Sequence, residues 1–261
     1  MYDFDFANPA TLDEAVAALG RGDAQALAGG QTYLPALRQR LAAPDTIVSL
    51  KRVEGLSDIE ATVDTLRIGA MATHARIARE TADRFPALSR LAGNIGDMAV
   101  RSRGTLGGSL ANNDPSACYP AMALATGATI HTNARDIAAE DFFRGMFETA
   151  LDDGEIITAV TVPVAQAAHY EKFVQRASRF ALVGVFAARY PDGARVAVTG
   201  ASSGGVFRWT EAEERLSDRF EASALDGLTI APDDMIEDLH ATKPYRAHLV
   251  SVMTRRAVEH A

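Results

Sequence analysis

The 261-residue sequence has one cysteine, one tryptophan and no long apolar run. A lone cysteine, Cys118, excludes an internal disulfide, a cysteine-ligated iron–sulfur cluster and a structural zinc site built from several thiolates. If iron–sulfur chemistry is involved, another chain must supply it. Basic residues are outnumbered: 26 Lys and Arg against 34 Asp and Glu give a formal charge of -8. That balance argues against general nucleic-acid binding, which draws its affinity from clustered positive charge, so any phosphate must be held locally. No segment approaches the length of a membrane-spanning helix, and Met1–Phe6 carries Asp3 and Asp5 where a secretory leader needs basic residues. A cytoplasmic protein with no membrane insertion is expected. Internal repeats and low-complexity linkers are also lacking.

Two further absences concern nucleotide chemistry. The chain has two glycine loops, Ala28-Gly29-Gly30-Gln31-Thr32 and Arg103-Gly104-Thr105-Leu106-Gly107-Gly108-Ser109. Neither is followed by the lysine of a P-loop, and neither has the first, third and sixth glycines of the nicotinamide fingerprint. The six histidines show no metal-ligand spacing, so His74, His131 and His169 read as surface or satisfied polar groups, and no metal site is expected.

What is present begins with those loops. Three glycines in five positions, flanked by hydroxyls and followed by Asn112-Asn113-Asp114-Pro115, describe a backbone that turns sharply with its N–H groups uncovered. Two such loops could close on opposite sides of one phosphate-bearing ligand. Arg101 and Arg103 could reach a phosphate or a partner's carboxylate, or be solvated loop charges. Gly204-Gly205 reads as a turn.

Along the chain, Asp3–Phe6 alternates with strand period. Thr11 and Glu14 form a capping box for a helix ended by Gly20. The small apolar run from 24 to 28 reads as a buried strand entering the first loop. Tyr33, Leu34, Leu37 and Leu41 then recur at helical spacing, with Pro35 in the first turn. Strands are expected at 46–50, 56–63 and 66–70, helices from Thr73 to Glu80 and from Pro86 toward Leu91, a short helix at 120–125, and strands at 127–131 and 155–162. Beyond Pro163 the texture changes. Strands at 170–175, 181–190 and 194–201, the last two joined by Pro191-Asp192-Gly193, precede helical patterns at 211–216, at 233–239 and from Tyr245 to the end. Strands followed by helices indicate a second α+β domain.

Leu27-Ala28-Gly29-Gly30-Gln31-Thr32-Tyr33-Leu34-Pro35 and Arg103–Ala111 with Asp114-Pro115 resemble the two flavin motifs of the FAD-binding medium subunit of molybdenum hydroxylases, the xanthine dehydrogenase and carbon monoxide dehydrogenase family. The similarity extends to Arg67–His74, Ile95-Gly96-Asp97, Asp141-Phe142-Phe143 with Gly145 and Phe147, Gly154–Ile157, Tyr170–Phe173 and the final helix. The resemblance implies an α+β fold. Its first part would be a two-subdomain FAD-binding domain of the vanillyl-alcohol-oxidase (PCMH) type over 1–165, with subdomains of about 1–52 and 53–165. A small α+β domain over 166–261 would complete one wall.

By motif position, Ala28, Gly29, Gly30, Gln31, Thr32 and the start of the Tyr33 helix should hold the FAD diphosphate through backbone amides. Thr105, Gly107, Gly108 and Ser109 should do so from the other side, with Asp114 nearby. The resemblance also places Ile157 and Lys172 near the cofactor, although Ile157 reads better as a core strand residue. One departure is Cys118, which stands where relatives often place an Asp that accepts a hydrogen bond from FAD; a thiol is a weaker partner, so that contact is weakened or replaced. FAD should be bound non-covalently, since no His or Cys adjoins either loop in the attachment positions of covalent flavoproteins.

The implied function is electron transfer between iron–sulfur clusters of a small partner subunit and an external acceptor. The molybdenum cofactor would reside in a large partner subunit, and no catalytic residue is expected in this chain. Two alternatives from other classes stay open: a self-sufficient FAD-dependent oxidoreductase, and a non-catalytic assembly protein with a flavin-like fold.

Overall fold

Local chemistry sets the first elements of the chain, whose computed structural model describes all 261 residues. Strand β1 (Asp5–Ala7) leads to helix α1 (Leu12–Leu19), where Thr11 Oγ1 accepts from Glu14 N and the Glu14 carboxylate accepts from Ala10 N and Thr11 N. This reciprocal cap satisfies amides that a helix start leaves unpaired. Strand β2 (Ala24–Leu27), helix α2 (Tyr33–Arg38) and strand β3 (Thr46–Ser49) follow. The three strands form a parallel sheet with β3 in the middle, so β2 is an edge strand and Gln25 and Ala26 are exposed. The expected strand is there, but it is not buried. Helix α2 is shorter than the leucine spacing suggested. Arg40 is left-handed (φ 61°) and Leu41 N bonds back to Ala36 O at 2.9 Å, so Leu41 lies outside the helix and is 76% exposed.

A second sheet is antiparallel, in the order β4 (Ile59–Ala61), β5 (Thr65–Gly69), β10 (Ile157–Pro163), β6 (Thr129–Thr132), β7 (Asp136–Ala138). Its long insertion holds α3 (His74–Glu80), α4 (Pro86–Gly93), α5 (Met98–Arg101), α6 (Leu106–Asn112) and α7 (Tyr119–Thr126). Between β7 and β10 come α8 (Ala139–Phe142) and the hairpin β8 (Phe143–Gly145) with β9 (Glu148–Thr149). Every residue of α7 is buried, as its Ala-rich, charge-free sequence requires.

The third sheet is an antiparallel meander, β11 (Ala167–Val174), β12 (Ala181–Tyr190), β13 (Gly193–Ser202) and β14 (Gly205–Arg208), followed by α9 (Thr210–Asp218) and α10 (Lys243–Glu259). Strand β12 is apolar on both faces because both are covered. Val183, Val185 and Ala187 pack with Leu249, Val250 and Met253 of α10, while Phe186 and Ala188 join the core containing α7. Two expectations change here. Gly204 belongs to a turn, but Gly205 opens strand β14, which the short run Gly205–Arg208 gave no period to reveal. Residues 233–239 are not helical: Met235 bridges to Ser202, and Ile236 N donates to Ala201 O at 2.8 Å. Pairing with the end of β13 satisfies this backbone better than a helix begun at Asp233-Asp234 would.

Candidate functional site

Strand β2 delivers the chain to the first glycine loop, and the loop is defined by what its amides do not do. None of the N–H groups from Ala28 through Tyr33 donates to any backbone or side-chain acceptor. The only hydrogen bond within the loop is from Gln31 Nε2 to Gly29 O at 3.4 Å. Thr32 adopts αR geometry and its hydroxyl does not cap the helix, so it too is free. The Tyr33 hydroxyl is buried without a partner. Gly30 has φ 72°, which turns the chain in a direction that L side chains resist. Successive uncovered N–H groups in a turn create a concavity of positive potential suited to a phosphate oxygen.

The second loop lies directly against the first. A Cβ on Gly29 would sit 2.2 Å from Arg103 O and 2.8 Å from Gly104 Cα, and one on Gly108 would sit 3.4 Å from Ala28 Cβ. Its amides, however, are mostly spent on protein. Leu106 N donates to Ala72 O (3.1 Å), Gly107 N to Ala70 O (2.8 Å), Gly108 N to Thr105 Oγ1 (3.2 Å) and Ser109 N to Thr105 O (3.1 Å). From Arg103 to Ser109 only the Thr105 amide has no acceptor. In this structure the turn after β5 takes the Gly107 amide, and Thr105 at the start of α6 takes those of Gly108 and Ser109. Gly107 contributes closeness: its Cβ would meet Ala70 Cβ at 2.5 Å. Ala70 N in turn donates to Thr158 O at 2.9 Å, which ties this loop to β10 beside Ile157, itself a buried core residue.

A buried side chain stiffens the second loop. His74 is 5% exposed, its N–H donates to Gly104 O at 3.0 Å, and its Nδ1 lies 3.2 Å from the Tyr119 hydroxyl. Burial first, and the nearby Arg101 second, lower the His74 pKa to about 4, so the ring is neutral at physiological pH. Arg101 does not reach toward the loops; it donates to Ile95 O and Gly96 O at 3.1 and 2.9 Å, closing the turn before α5.

The other predicted residues gather elsewhere. Asp114 Oδ1 accepts from Ser116 N (2.8 Å), and the following backbone is clamped by β13, where Thr199 Oγ1 donates to Pro115 O and Ala117 O at 2.9 and 2.7 Å. Asp114 and Ser116 line a cleft of about 240 Å³ with Gln175, Ser178, Phe180 and Arg246. Arg246 is nearly fully buried. It donates to Leu182 O, Gly200 O and Asp238, while its Nε–H has no partner. Cys118 is buried, with Lys172 Nζ 3.8 Å from its sulfur. That ammonium also donates to Asn94 O (2.6 Å) and Arg179 O (3.2 Å), joining the turn after α4 to the loop after β11. Burial, then Cys118, pushes the adjacent Tyr170 phenol well above its ordinary range. Asn113 was not singled out by sequence. It is left-handed and its Nδ2 donates to Gly145 O and Glu148 O at 2.7 and 2.9 Å, fixing the β8–β9 hairpin. An Asn preceding Asp-Pro was the available signal.

Residues 2–165 match the family described as FAD binding domain in molybdopterin dehydrogenase. The chain belongs to this family. It is 33% identical to the nicotine 6-hydroxylase medium subunit of Paenarthrobacter nicotinovorans, over 98% of this chain and 96% of that one. It is 31% identical to the carbon monoxide dehydrogenase medium chain of Afipia carboxidovorans, over 99% and 96%. Among solved structures, quinoline 2-oxidoreductase from Pseudomonas putida 86 superimposes with a TM-score of 0.88 at 29% identity, covering 99% of this chain and 96% of that one. This molybdopterin-dehydrogenase flavoprotein is an oxidoreductase component, and FAD is its cofactor. No helix is long and apolar enough to cross a membrane.

Proposed function

We propose that this chain is the electron-transfer subunit of a molybdenum hydroxylase complex, carrying electrons between iron–sulfur clusters of a small partner subunit and an external acceptor, with the molybdenum cofactor in a large partner subunit. The observation that carries the reading is the run of unpartnered amides from Ala28 to Tyr33, held against a second loop that has no room for a side chain at Gly104 or Gly107. An acidic protein without a P-loop lysine can hold a diphosphate in this way, since oriented N–H dipoles neutralise it without a formal charge.

In this reading Gly29, Gly30, Gln31, Thr32 and Tyr33 supply backbone donors, with Ala28 at the entry and the Thr32 hydroxyl beside them. Thr105 adds one amide, Gly107 and Gly108 supply close approach, and Ser109 supplies its hydroxyl. Asp114, Cys118, Ile157 and Lys172 shape the region beyond the second loop, where the sheet of residues 167–208 forms a wall. We place the division of the chain near residue 165, after β10. When bound, FAD accepts electrons singly and discharges a pair, while the protein orients it and sets its surroundings. His74 keeps the second loop rigid and uncharged, and Lys172 keeps the two halves of the chain in register.

The test is anaerobic reduction of the FAD-loaded chain. Dithionite should bleach the flavin of the lone chain, whereas heterocyclic or aldehyde substrates should do so only after the molybdenum and iron–sulfur subunits are added. Rapid substrate bleaching of the lone chain would overturn the proposal.

A further inference from the structure

Away from the glycine loops, three side chains converge that no sequence spacing connects. His169 and Glu171 are two apart on β11, so the period of a strand places both on one face. Strand β11 is the edge of its sheet, and α10 packs across it, bringing its C-cap residue His260 over the same face. His169 Nε2 lies 3.3 Å from Glu171 Oε2, and His260 Nδ1 lies 3.6 Å from the same oxygen. All three ligand atoms fall within 4.8 Å of one another.

We propose that His169, Glu171 and His260 form a binding site for a divalent transition cation of the zinc, nickel, copper or cobalt class. Metal bonds of about 2.0–2.2 Å at tetrahedral angles put neighbouring ligand atoms roughly 3.4 Å apart, close to the two separations found here. Two imidazoles with one carboxylate suit this class rather than magnesium or calcium, which take oxygen donors. The site combines a firm base with an open side: the His169 and Glu171 side chains are 12% and 23% exposed, and that of His260 is 57% exposed. The open side leaves a coordination position for water. The last carbonyls of the 17-residue α10 add negative potential beside His260.

A fourth residue opposes the cation. Arg90, exposed on α4, lies 3.1 Å from His169 Nδ1. A guanidinium can only donate, so in this arrangement Nδ1 accepts and the ring proton sits on Nε2, facing Glu171. Cation binding at Nε2 moves that proton to Nδ1, and two donors then face each other, so Arg90 must turn away. The cation therefore competes with a contact between α4 and β11.

The test is titration of the untagged full chain with cobalt(II) alone, followed by its visible ligand-field spectrum. The expected result is one saturable equivalent, displaced by zinc. His169→Ala and His260→Ala should each weaken binding by more than the roughly 10- to 100-fold typical of losing an outer-shell partner. Arg90→Ala should tighten binding several-fold. Melting of each variant without metal shows whether it is folded, and His260→Ala, at the exposed end of a helix, is the variant that should melt like the parent. Absence of a saturable cobalt spectrum in the parent, or an affinity equal to the parent's in both folded histidine variants, would overturn the site. Unchanged affinity in Arg90→Ala would overturn the assignment of Nε2 as the ligand atom.

Discussion

Gly29→Ala is the most direct probe of the glycine loops. The added methyl would lie 2.2 Å from Arg103 O, 2.8 Å from Gly104 Cα and 2.9 Å from Arg103 C, all backbone atoms that no rotamer change can move. Ordinary contact begins near 3.4 Å, so the two loops must separate by about 1.2 Å. Forced repacking of this kind costs about 1–3 kcal/mol. If the strain falls on the FAD-bound geometry, where the first loop's amides and the second loop's surface act together, affinity should drop about 5- to 150-fold. Gly55→Ala is the control: Gly55 has φ 76° and nothing within 4 Å of its would-be Cβ. That substitution should lower stability by about 1–2 kcal/mol through the left-handed backbone alone and leave FAD affinity unchanged. Titration of the apoprotein with FAD, read by quenching of flavin fluorescence, measures affinity, and urea melts of the apoprotein measure stability. Equal FAD affinity in Gly29→Ala and the parent would refute the argument that loop contact positions the donors.

Other consequences follow from the same structure. His74 is buried with its pKa lowered to about 4, so between that value and the ordinary 6.5 the unfolded chain binds a proton that the folded chain does not. Its contribution is present in full above pH 6.5 and lost as pH falls toward 4, by about 3 kcal/mol at most. Urea melts at pH 7.5 and 5 should show a steeper loss for the parent than for His74→Asn, and identical slopes would contradict it. Gly30→Val places a β-branched side chain at φ 72° against Leu34 and should abolish FAD retention on gel filtration, whereas full retention would make the loop an ordinary turn. Cys118→Asp puts a carboxylate beside Lys172 Nζ, at the position where the family resemblance leads one to expect an Asp, and should tighten FAD binding, with weaker binding in a folded variant as the contrary result. Thr11→Ala removes half of the α1 capping box and should lower stability by about 1 kcal/mol without changing FAD affinity.

Features governed by neighbours in sequence were legible from the sequence. The capping box at Thr11 and Glu14, the hairpin at Pro191-Asp192 and the apolar stripe of α10 depend on backbone preferences and periodicity that a few residues carry. The glycine loops were legible for the same reason, and the family motifs on them pointed to FAD. Which amides remain free was not local information. Gly107 N–H is committed because Ala70 O arrives from the end of β5, and Leu106 N–H because Ala72 O does, whereas nothing reaches the amides from 28 to 33. Tertiary packing likewise made β2 an exposed edge, held 233–239 against the end of β13 in place of a helix, and buried β12 on both faces. The His169, Glu171 and His260 cluster shows the limit most plainly. Two of its members share a strand face by the period of the backbone, but the third comes from the far end of the chain, and only the packing of α10 across β11 brings it within ligand distance.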